Sequence, residues 1–358
     1  QSRRVWDYVQ GFGPWREHRL SVRILIEGKR ISLPLNLKGL RSFFSKAEAL
    51  SLEQKLLAHF GPDRFVPIPQ LARSRDKALE KLAHLVCEQI YQPYLAKRTG
   101  LESGKSPPAL CVRMPVSTCQ EDHYYVEPFQ GIPADSYCDF FGRLLNHPGI
   151  HRLLHVEALD ILELNENSGT PRLFGQPFNG RVFYTGRLDE LFNFRFGALD
   201  FRSLRLEFET HNKPFFLQDA DALLLPDNSS CNRITEFKRI TGHKGPNTTI
   251  LREYSQAYDP AVGNEPYFPV SNDENRKRLR RYWELAGRFP QLYCLGPQPN
   301  HRIYPMDVSI EQTLNLVDQI VSQETFVIEN IEIPDVDDLL TFETIEAIEI
   351  GEAAEAGN

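Results

Sequence analysis

Arginine and tyrosine side chains recur in the β-rich part of this chain, and both residue types can bind phosphate. Arg233 lies in the segment NRITEFK at 232–238, Tyr254 ends the segment LREY at 251–254, and Tyr304 follows further on. Arginine makes bidentate, charge-assisted hydrogen bonds to phosphate oxygens, and tyrosine hydroxyls can complete such a site. The set indicates a candidate diphosphate site, with salt-bridged surface arginines and core tyrosines as the alternative.

Several other motifs lack the spacing that their chemistry requires. Residues 100–106 (GLESGKS) have one residue too few between the glycines for a phosphate-binding loop, and they run into two prolines. Residues 11–13 begin like a dinucleotide-binding turn but lack the third glycine. A Pro-Gly pair at 148–149 interrupts any helix that would align three histidines for a metal. Those histidines are His147, His151 and His155.

No side chain carries a recognisable catalytic signature. The sequence has no Ser-His-Asp or Cys-His pattern of a nucleophilic enzyme. The basic run at 276–281 is more typical of a solvated helix face than of a nucleic-acid contact. We therefore predict no catalytic side chain, no metal site and no nucleic-acid partner.

The candidate binding residues must be positioned largely by β-strands. A β-rich run at 182–185 stops at Gly186, where the missing Cβ would permit close approach of a ligand to the backbone. An acidic and aromatic segment then leads to an alternating strand at 203–209. Near the N-terminus, a hairpin is predicted from 20–35 around a Glu27-Gly28-Lys29 turn.

Helical periodicity marks the other elements. Residues 77–94 place apolar side chains three to four positions apart, and residues 272–287 form a helix with a basic face. Ser309 is predicted to cap a final helix, with Gln312 completing a capping box. The predicted fold class is therefore mixed α/β (α+β), with a helical insert.

Length and composition are those of an ordinary globular protein. The 358 residues are 41% hydrophobic and 25% charged. No apolar run approaches the roughly 20 residues of a membrane span, and no signal peptide opens the chain. The six cysteines form no CxxC pair, which is typical of reduced thiols and predicts a cytoplasmic protein. Because the chain begins at Gln1 rather than Met, we also expect residues upstream of it.

Charge is distributed unevenly along the chain. The net charge is −7, but no Lys or Arg follows Arg302, and residues 324–355 carry 11 acids. Removing these from the total of 48 leaves 37 acids against 41 bases, so the body is mildly basic and suits an anionic small molecule. We predict that the acidic tail at 324–358 is mostly disordered and binds a protein partner.

Segments in order along the chain resemble the motifs of UDP-galactopyranose mutases. They begin with VWDYV at 5–9 and continue through RMPV at 113–116, FQGIP at 129–133 and FYTGRLDELFNFRFGALDFRSLRLEFE at 183–209. NRITEFK, REY and GNEPYFPV (263–270) complete the series. The resemblance runs from about Val5 to Val321.

The resemblance implies an FAD-dependent isomerase that interconverts UDP-galactopyranose and UDP-galactofuranose for cell-surface polysaccharide biosynthesis. Reduced flavin carries the covalent chemistry in that family, so the protein would position the substrate and neutralise its charge. The implied partner is a nucleotide sugar, with no membrane involved. Self-association into a homo-oligomer is also expected.

The family fold also implies how the chain is divided. It would consist of partial pieces of a Rossmann-like FAD domain, a helical domain and a twisted antiparallel β-sheet domain. In chain order the predicted segments are sheet-domain strands at 1–37, the helical domain at 38–107, sheet-domain strands at 108–133, an FAD-domain-like segment at 134–190, the antiparallel sheet domain at 191–270, an FAD-domain-like C-terminal segment at 271–323 and the acidic tail at 324–358.

The resemblance assigns roles to individual residues. Arg233 matches a diphosphate-binding arginine of the family, and Tyr254 and Tyr304 match tyrosines that contact the diphosphate. Gly186 matches the flavin-facing turn, which makes it the candidate cofactor-binding residue. No catalytic side chain is implied, because the flavin carries the chemistry.

Other positions depart from the family pattern. Ser117 stands where a second diphosphate arginine is expected, and Phe129 stands where a tyrosine precedes QGIP. Arg98 and Ser103 replace aromatic residues near the sugar and uridine, and Pro297 replaces a flavin-contacting arginine. The N-terminal GxGxxG strand–turn–helix that binds FAD is also absent from these 358 residues.

These departures leave three functions open. The favoured hypothesis is a divergent, flavin-dependent UDP-galactopyranose mutase whose first part lies in sequence upstream. The second is a non-catalytic binding or scaffold module without FAD, built on a remodelled sheet, since the missing segment holds the principal FAD pyrophosphate site. The third is a flavoenzyme that acts on another nucleotide sugar, because the replaced residues would reshape the pocket.

Overall fold

The computed structural model describes residues 2–100, 115–122, 124–125, 127–227 and 229–322. Helices and strands are mixed throughout these residues, which confirms the α/β (α+β) fold class. Within the same ranges, no helix is both long enough and apolar enough to cross a membrane. The chain divides into two units, each described separately below.

Helices occur along the whole described chain. In chain order they are α1 (Arg3–Gln10), α2 (Leu37–Phe43), α3 (Lys46–Phe60), α4 (Ile68–Ala72), α5 (Lys77–Leu85), α6 (Gln92–Thr99), α7 (Tyr137–Leu144), α8 (Ala158–Ile161), α9 (Leu188–Leu191), α10 (Phe237–Thr241), α11 (Asp273–Ala286) and α12 (Met306–Val321). A π-helical segment, Val86–Tyr91, joins α5 to α6, and Pro260–Val262 forms a 3-10 turn.

The strands are mostly short. In chain order they are β1 (Trp15–Glu17), β2 (Val22–Ile26), β3 (Lys29–Leu33), β4 (Phe65–Val66), β5 (Val116–Ser117), β6 (Gly131–Pro133), β7 (Leu162–Asn165), β8 (Thr170–Leu173), β9 (Gln176–Pro177), β10 (Val182–Tyr184), β11 (Phe201–His211), β12 (Ala222–Leu224), β13 (Arg233–Glu236), β14 (Thr248–Ala257), β15 (Phe268–Pro269) and β16 (Leu292–Cys294). Strands β10 and β11 confirm the two strands predicted around 182–185 and 203–209.

The described residues of the first unit are 2–17, 127–203 and 258–322. Strands β10 and β16 form a parallel pair that aligns Tyr184 with Cys294. Strand β1 pairs antiparallel with β6, and β7, β8 and β9 form a small antiparallel sheet. Because β10 and β16 run in the same direction, their carboxyl ends lie at one edge, where α/β proteins commonly bind ligands.

Helix α11 supplies much of the core of the first unit. It begins after Asn272, whose side-chain oxygen accepts a hydrogen bond from the Asn275 backbone N–H at 2.7 Å. The buried phenol of Tyr282 donates to the Gly197 carbonyl at 2.8 Å, so its polar atom is satisfied. The helix predicted at 272–287 is therefore confirmed. Its buried apolar face consists of Leu279, Tyr282, Leu285 and Ala286.

The final helix begins earlier than the sequence predicts. Helix α12 starts at Met306, and its N-cap is Pro305. Ser309 lies inside the first turn, where its backbone N–H donates to the Pro305 carbonyl at 3.3 Å, so the predicted Ser309 cap with Gln312 is wrong. The physical reason is that Pro305 already has the extended conformation of a helix cap, with ψ of 164°. Ile310 and Leu314 of this helix pack on Val5, Val9 and Phe140.

The described residues of the second unit fall within 18–126 and 204–257. Six of its strands lie in one sheet, in the order β11, β14, β13, β12, β2, β3. Strand β12 is parallel to β2, while β13 is antiparallel to both β12 and β14. The predicted hairpin is confirmed as β2–β3, with a two-residue turn at Glu27 and Gly28 whose φ angles are 48° and 77°.

Helices α2 to α6 cover one face of this sheet. Ala222 and Leu224 of β12 pack in the same buried core as Leu82 of α5 and Tyr94 of α6. The helix predicted at 77–94 is confirmed in outline, but the π-helical segment interrupts it. Pro93 has no backbone N–H to continue the α-helical hydrogen bonds, so the turn before it widens.

Candidate functional site

Arg233 lies at the start of β13, on the face of the sheet that the helices of the second unit cover. Its aligned residues on the neighbouring strands are Leu224 of β12 and Glu253 of β14. Aligned residues of neighbouring strands point to the same face, and Leu224 belongs to the helix-covered core. The Arg233 side chain therefore lies on the same face as α6.

Arg233 has donor capacity that the protein does not use. Its Nε atom is buried and makes no hydrogen bond to any described residue, although Glu253 Oε1 lies 3.5 Å away. Buried donors without a partner are rare in folded proteins, and a bound anion is one way to satisfy them. Since the side chain is still 29% exposed, a ligand can reach the guanidinium.

Tyr254 lies on the opposite face of the same sheet. It follows Glu253 in β14, and successive side chains of a strand alternate between the two faces. Its ring lies 4.0 Å from the Arg205 guanidinium. The geometry thus places Tyr254 and Arg233 on opposite faces of the sheet. The apolar neighbours of Tyr254 are Leu25, Leu223, Leu225, Cys231 and Ile234.

Lys97 of α6 holds the connection that leads into Arg233. Its ammonium group donates to the carbonyls of Leu225 at 2.7 Å, Asp227 at 3.0 Å and Cys231 at 2.6 Å. Burial lowers the pKa of Lys97, while the charge of Asp227 acts in the opposite direction. These bonds tie α6 to the β12–β13 connection, two residues before Arg233.

A second arginine and two tyrosines lie in this part of the second unit. Arg98 Nη1 donates to the Tyr94 hydroxyl at 3.3 Å, and its guanidinium lies 6.0 Å from the Tyr94 ring centre. Burial raises the pKa of Tyr124 to about 12, and the charges of Tyr125 and Tyr94 act in the same direction. The positive charges of Arg98 and Arg233 both oppose this rise. Tyr124 therefore lies within the field of both arginines.

In the first unit, a cavity opens where the parallel strands end. Gly186 lies two residues beyond Tyr184, and Gly296 lies two residues beyond the aligned Cys294. The cavity beside them has a volume of about 370 Å³. Its lining includes Gly186, Arg187, Glu190, Tyr258, Glu265 and Gln298.

Arg187 is the most buried cation of this cavity wall. Its guanidinium bonds to Asp189, to Glu190 at 3.0 Å and to the Tyr258 hydroxyl at 3.0 Å, and it lies 4.7 Å from the Phe201 ring centre. The side chains of Arg187 and Asp189 are only 4% and 0% exposed. The charge of Arg187 is thus neutralised within the protein.

The cavity is acidic overall. Burial raises the pKa of Glu190; the charge of Arg187 opposes this rise, and the charges of Asp189, Glu157 and Glu265 add to it. With Arg187 already paired to Asp189, the remaining carboxylates leave the wall negative. This surface favours hydroxyl or amide groups of a ligand over phosphate.

The described residues fit one end of FAD and not the whole cofactor. Gly296 has φ of 96°, and nothing lies within 4 Å of where its Cβ would be, so the strand end leaves open backbone beside the cavity. A Cβ on Gly186, in contrast, would lie 2.5 Å from the Tyr184 hydroxyl, so packing inside the protein already explains that glycine. Among the residues described in the first unit, none forms the glycine-rich strand–turn–helix that holds a pyrophosphate.

Tyr304 belongs to the first unit, as does Gly186, whereas Arg233 and Tyr254 belong to the second. The Tyr304 hydroxyl donates to the Gly296 carbonyl at 3.2 Å, and burial raises its pKa. Tyr304 thus lies beside the end of β16. Its predicted contact with a diphosphate stays a prediction, as do those of Arg233 and Tyr254.

His301 lies close to the same strand end and makes the stability of the protein depend on pH. Burial lowers the pKa of His301 from 6.5 to about 4. The unfolded chain therefore binds a proton near pH 6.5 that the folded protein binds only near pH 4. The neutral His301 side chain makes its full contribution to the unfolding free energy above pH 6.5. That free energy falls by about 1.4 kcal/mol per pH unit as the pH drops from 6.5 to about 4.

The prediction is that His301→Asn removes part of the acid sensitivity. Asparagine suits this position because His301 has φ of 49°, in the left-handed region. Between pH 7 and 5.5, urea unfolding should show wild-type protein losing about 1 kcal/mol more than the variant. The exposed His59→Asn is the control, and equal pH dependence of wild-type protein and His301→Asn would contradict the prediction.

The positions that depart from the family pattern differ in their surroundings. Ser117 is 2% exposed, and its Oγ accepts the Cys119 backbone N–H at 3.1 Å. Phe129 stacks on Trp6 with ring centres 5.9 Å apart. Ser103 lies outside the described residues, and so does the 100–106 motif except for Gly100. Ser117 therefore offers no positive charge and little access to a ligand.

Three residues of these two regions were not singled out by the sequence. Arg187 had a weak signal, since it directly follows the strand-ending Gly186. Lys97 and Tyr124 had none, because their partners lie on distant segments. In the part of the chain that the structure describes, no group of three His, Cys, Asp or Glu side chains is arranged to hold a metal.

The chain is similar to several proteins that are named as pyranose mutases. A sequence model of the family described as UDP-galactopyranose mutase matches residues 89–302. The dTDP-fucopyranose mutase of Escherichia coli is 26% identical over 317 residues, covering 87% of this chain and 79% of that protein. The UDP-galactopyranose mutase of Mycoplasma pneumoniae is 26% identical over 328 residues, covering 89% and 81%. A crystal structure of reduced UDP-galactopyranose mutase has a TM-score of 0.58 at 12% identity, covering 89% of this chain and 80% of that one.

Proposed function

The chain belongs to the UDP-galactopyranose mutase family, and from that membership we propose that it interconverts the pyranose and furanose forms of a nucleotide sugar. The observation that carries the proposal is Arg233. It matches the family's diphosphate arginine, and its buried Nε atom has no hydrogen-bond partner among the described residues. A diphosphate would supply the missing acceptor and form a charge-assisted bond.

The role of the second unit in this proposal is to bind and orient. The leaving diphosphate of such a substrate carries negative charge, which the Arg233 guanidinium would neutralise. Lys97 keeps the preceding connection in place through its bonds to the carbonyls of Leu225 and Cys231. A fixed phosphate group would hold the attached sugar in one position, which lowers the entropic barrier to reaction.

FAD is the cofactor proposed for this reaction. Of the described residues, Gly186, Gly296 and Gln298 would lie against its ring end, beside the acidic cavity of the first unit. When bound and reduced, FAD would supply the nucleophile of the reaction. The carboxylates of Glu190 and Glu265 would then be available to bind hydroxyl groups.

A second candidate differs in the substrate. The similar protein from Escherichia coli is a dTDP-fucopyranose mutase, and its identity to this chain equals that of the Mycoplasma pneumoniae UDP-galactopyranose mutase, at 26%. A dTDP-linked sugar is therefore a specific alternative to a UDP-linked one. Turnover of both nucleotide sugars by one preparation would decide between them.

The experiment combines a spectrum with an assay. We expect the purified full-length protein to show flavin absorbance, and to convert UDP-galactofuranose to UDP-galactopyranose only under reducing conditions. Conversion of a dTDP-sugar alone would favour the second candidate. Absence of flavin and of turnover, with UDP still bound, would indicate a binding module and contradict the proposed activity.

A further inference from the structure

The charge around Arg233 is too small for a diphosphate. Arg233 contributes one positive charge, and Glu253 lies 3.5 Å from its Nε atom and offsets part of it. A nucleoside diphosphate that carries two or three negative charges needs further cations or donors. Ser117 is neutral and 2% exposed, so it supplies neither.

Helix α6 brings a second arginine to the same face of the sheet. Tyr94 and Leu95 of this helix pack in the core that also contains Leu224, the residue aligned with Arg233. Lys97 ties α6 to the β12–β13 connection through three carbonyls, at distances of 2.6 to 3.0 Å. Arg98 is the next residue of α6, the helix that these contacts hold against the β12–β13 connection.

Tyrosine hydroxyls accompany the two arginines. Arg98 Nη1 donates to the Tyr94 hydroxyl at 3.3 Å, and the rings of Tyr124 and Tyr125 pack edge to face with centres 4.8 Å apart. The charges of Arg98 and Arg233 both act on the Tyr124 hydroxyl. The group therefore combines two cations with neutral hydroxyl donors, the chemistry that phosphate oxygens require.

We propose that Arg98 is the second arginine of the diphosphate site, acting together with Arg233 and the hydroxyls of Tyr94 and Tyr124. The proposal rests on the proposed function, because it concerns the same nucleotide-sugar site. The positive charge that is absent at Ser117 is thus supplied from α6. The bound group is the diphosphate of a nucleoside-diphosphate sugar.

The test measures UDP and UMP binding to the full-length protein by calorimetry. Arg98→Met should weaken UDP binding about tenfold and UMP binding less, because the second phosphate loses its charge-assisted bonds. Arg98→Lys should recover part of the UDP affinity, since it keeps the charge without the planar group. Arg41→Met is the matched control, because Arg41 is a surface arginine of the same unit that pairs with Glu53.

Two results would overturn the assignment of Arg98. One is UDP affinity within twofold of wild type in Arg98→Met while Arg233→Ala loses affinity, which leaves the proposed function standing. The other is an equal loss of UDP and UMP affinity in Arg98→Met, which indicates a structural change rather than a lost phosphate contact. If neither Arg98→Met nor Arg233→Ala alters binding, the proposed site itself is wrong.

Discussion

Replacing Arg187 by methionine should destabilise the protein by about 3–5 kcal/mol, the usual cost of breaking a buried ion pair. The Asp189 carboxylate, which is 0% exposed, would remain buried without its counter-ion. The Tyr258 hydroxyl would also lose its bond to the guanidinium. Urea unfolding monitored by circular dichroism would measure the change in unfolding free energy.

Two further variants separate the buried charge from other effects. Arg195→Met removes an exposed arginine that pairs with Glu166, so we expect a change of less than about 1 kcal/mol. Adding Asp189→Asn to Arg187→Met should recover part of the stability, because the uncompensated charge is gone while the acceptor for the Leu199 N–H is kept. If Arg187→Met were no more destabilising than Arg195→Met, the buried pair would not be structural.

Replacing Arg233 by alanine should weaken UDP binding at least tenfold. A charge-assisted hydrogen bond to phosphate contributes about 1.5–3 kcal/mol, and about 1.4 kcal/mol corresponds to a factor of ten. The fold should tolerate this change, since the Arg233 side chain is 29% exposed and its Nε atom makes no hydrogen bond to the residues that the structure describes. Titration calorimetry with UDP would measure the affinity.

The matched control is Arg252→Ala, in the neighbouring strand of the same sheet. Arg252 aligns with Ile234, so its side chain lies on the face opposite to Arg233, where it pairs with Glu209. We expect UDP affinity close to that of the wild type. Unchanged affinity in Arg233→Ala, or an equal loss in Arg252→Ala, would contradict a diphosphate site on the helix-covered face.

Local physical chemistry made several elements predictable from the sequence by itself. The β2–β3 hairpin follows from a Glu-Gly pair between two β-rich runs, because that pair accepts the positive φ angles of a tight turn. Helix α11 follows from its apolar periodicity and from the cap that Asn272 provides. The sequence alone identified Arg233 as a candidate. Its residue type and its match to the family motif can both be recognised without knowing which residues surround it in space.

The start of α12 shows where local signals compete. Ser309 and Gln312 have the spacing of a capping box, yet Pro305 already caps the helix and Met306 begins it. Ile310 and Leu314 contact Val5 and Val9 of α1, and both residues lie in the helix whichever cap begins it. Sequence spacing alone therefore does not rank the two caps.

Only the tertiary structure shows which face of the second unit's sheet the helices cover. Alternation along a strand indicates which side chains share a face, but not which face the helices will cover. That choice places Arg233 beside α6 and sends Tyr254 to the opposite side, although both belong to one predicted set. It also brings Tyr124 into the field of Arg233, more than a hundred positions away, because long-range packing, and not sequence spacing, sets that distance.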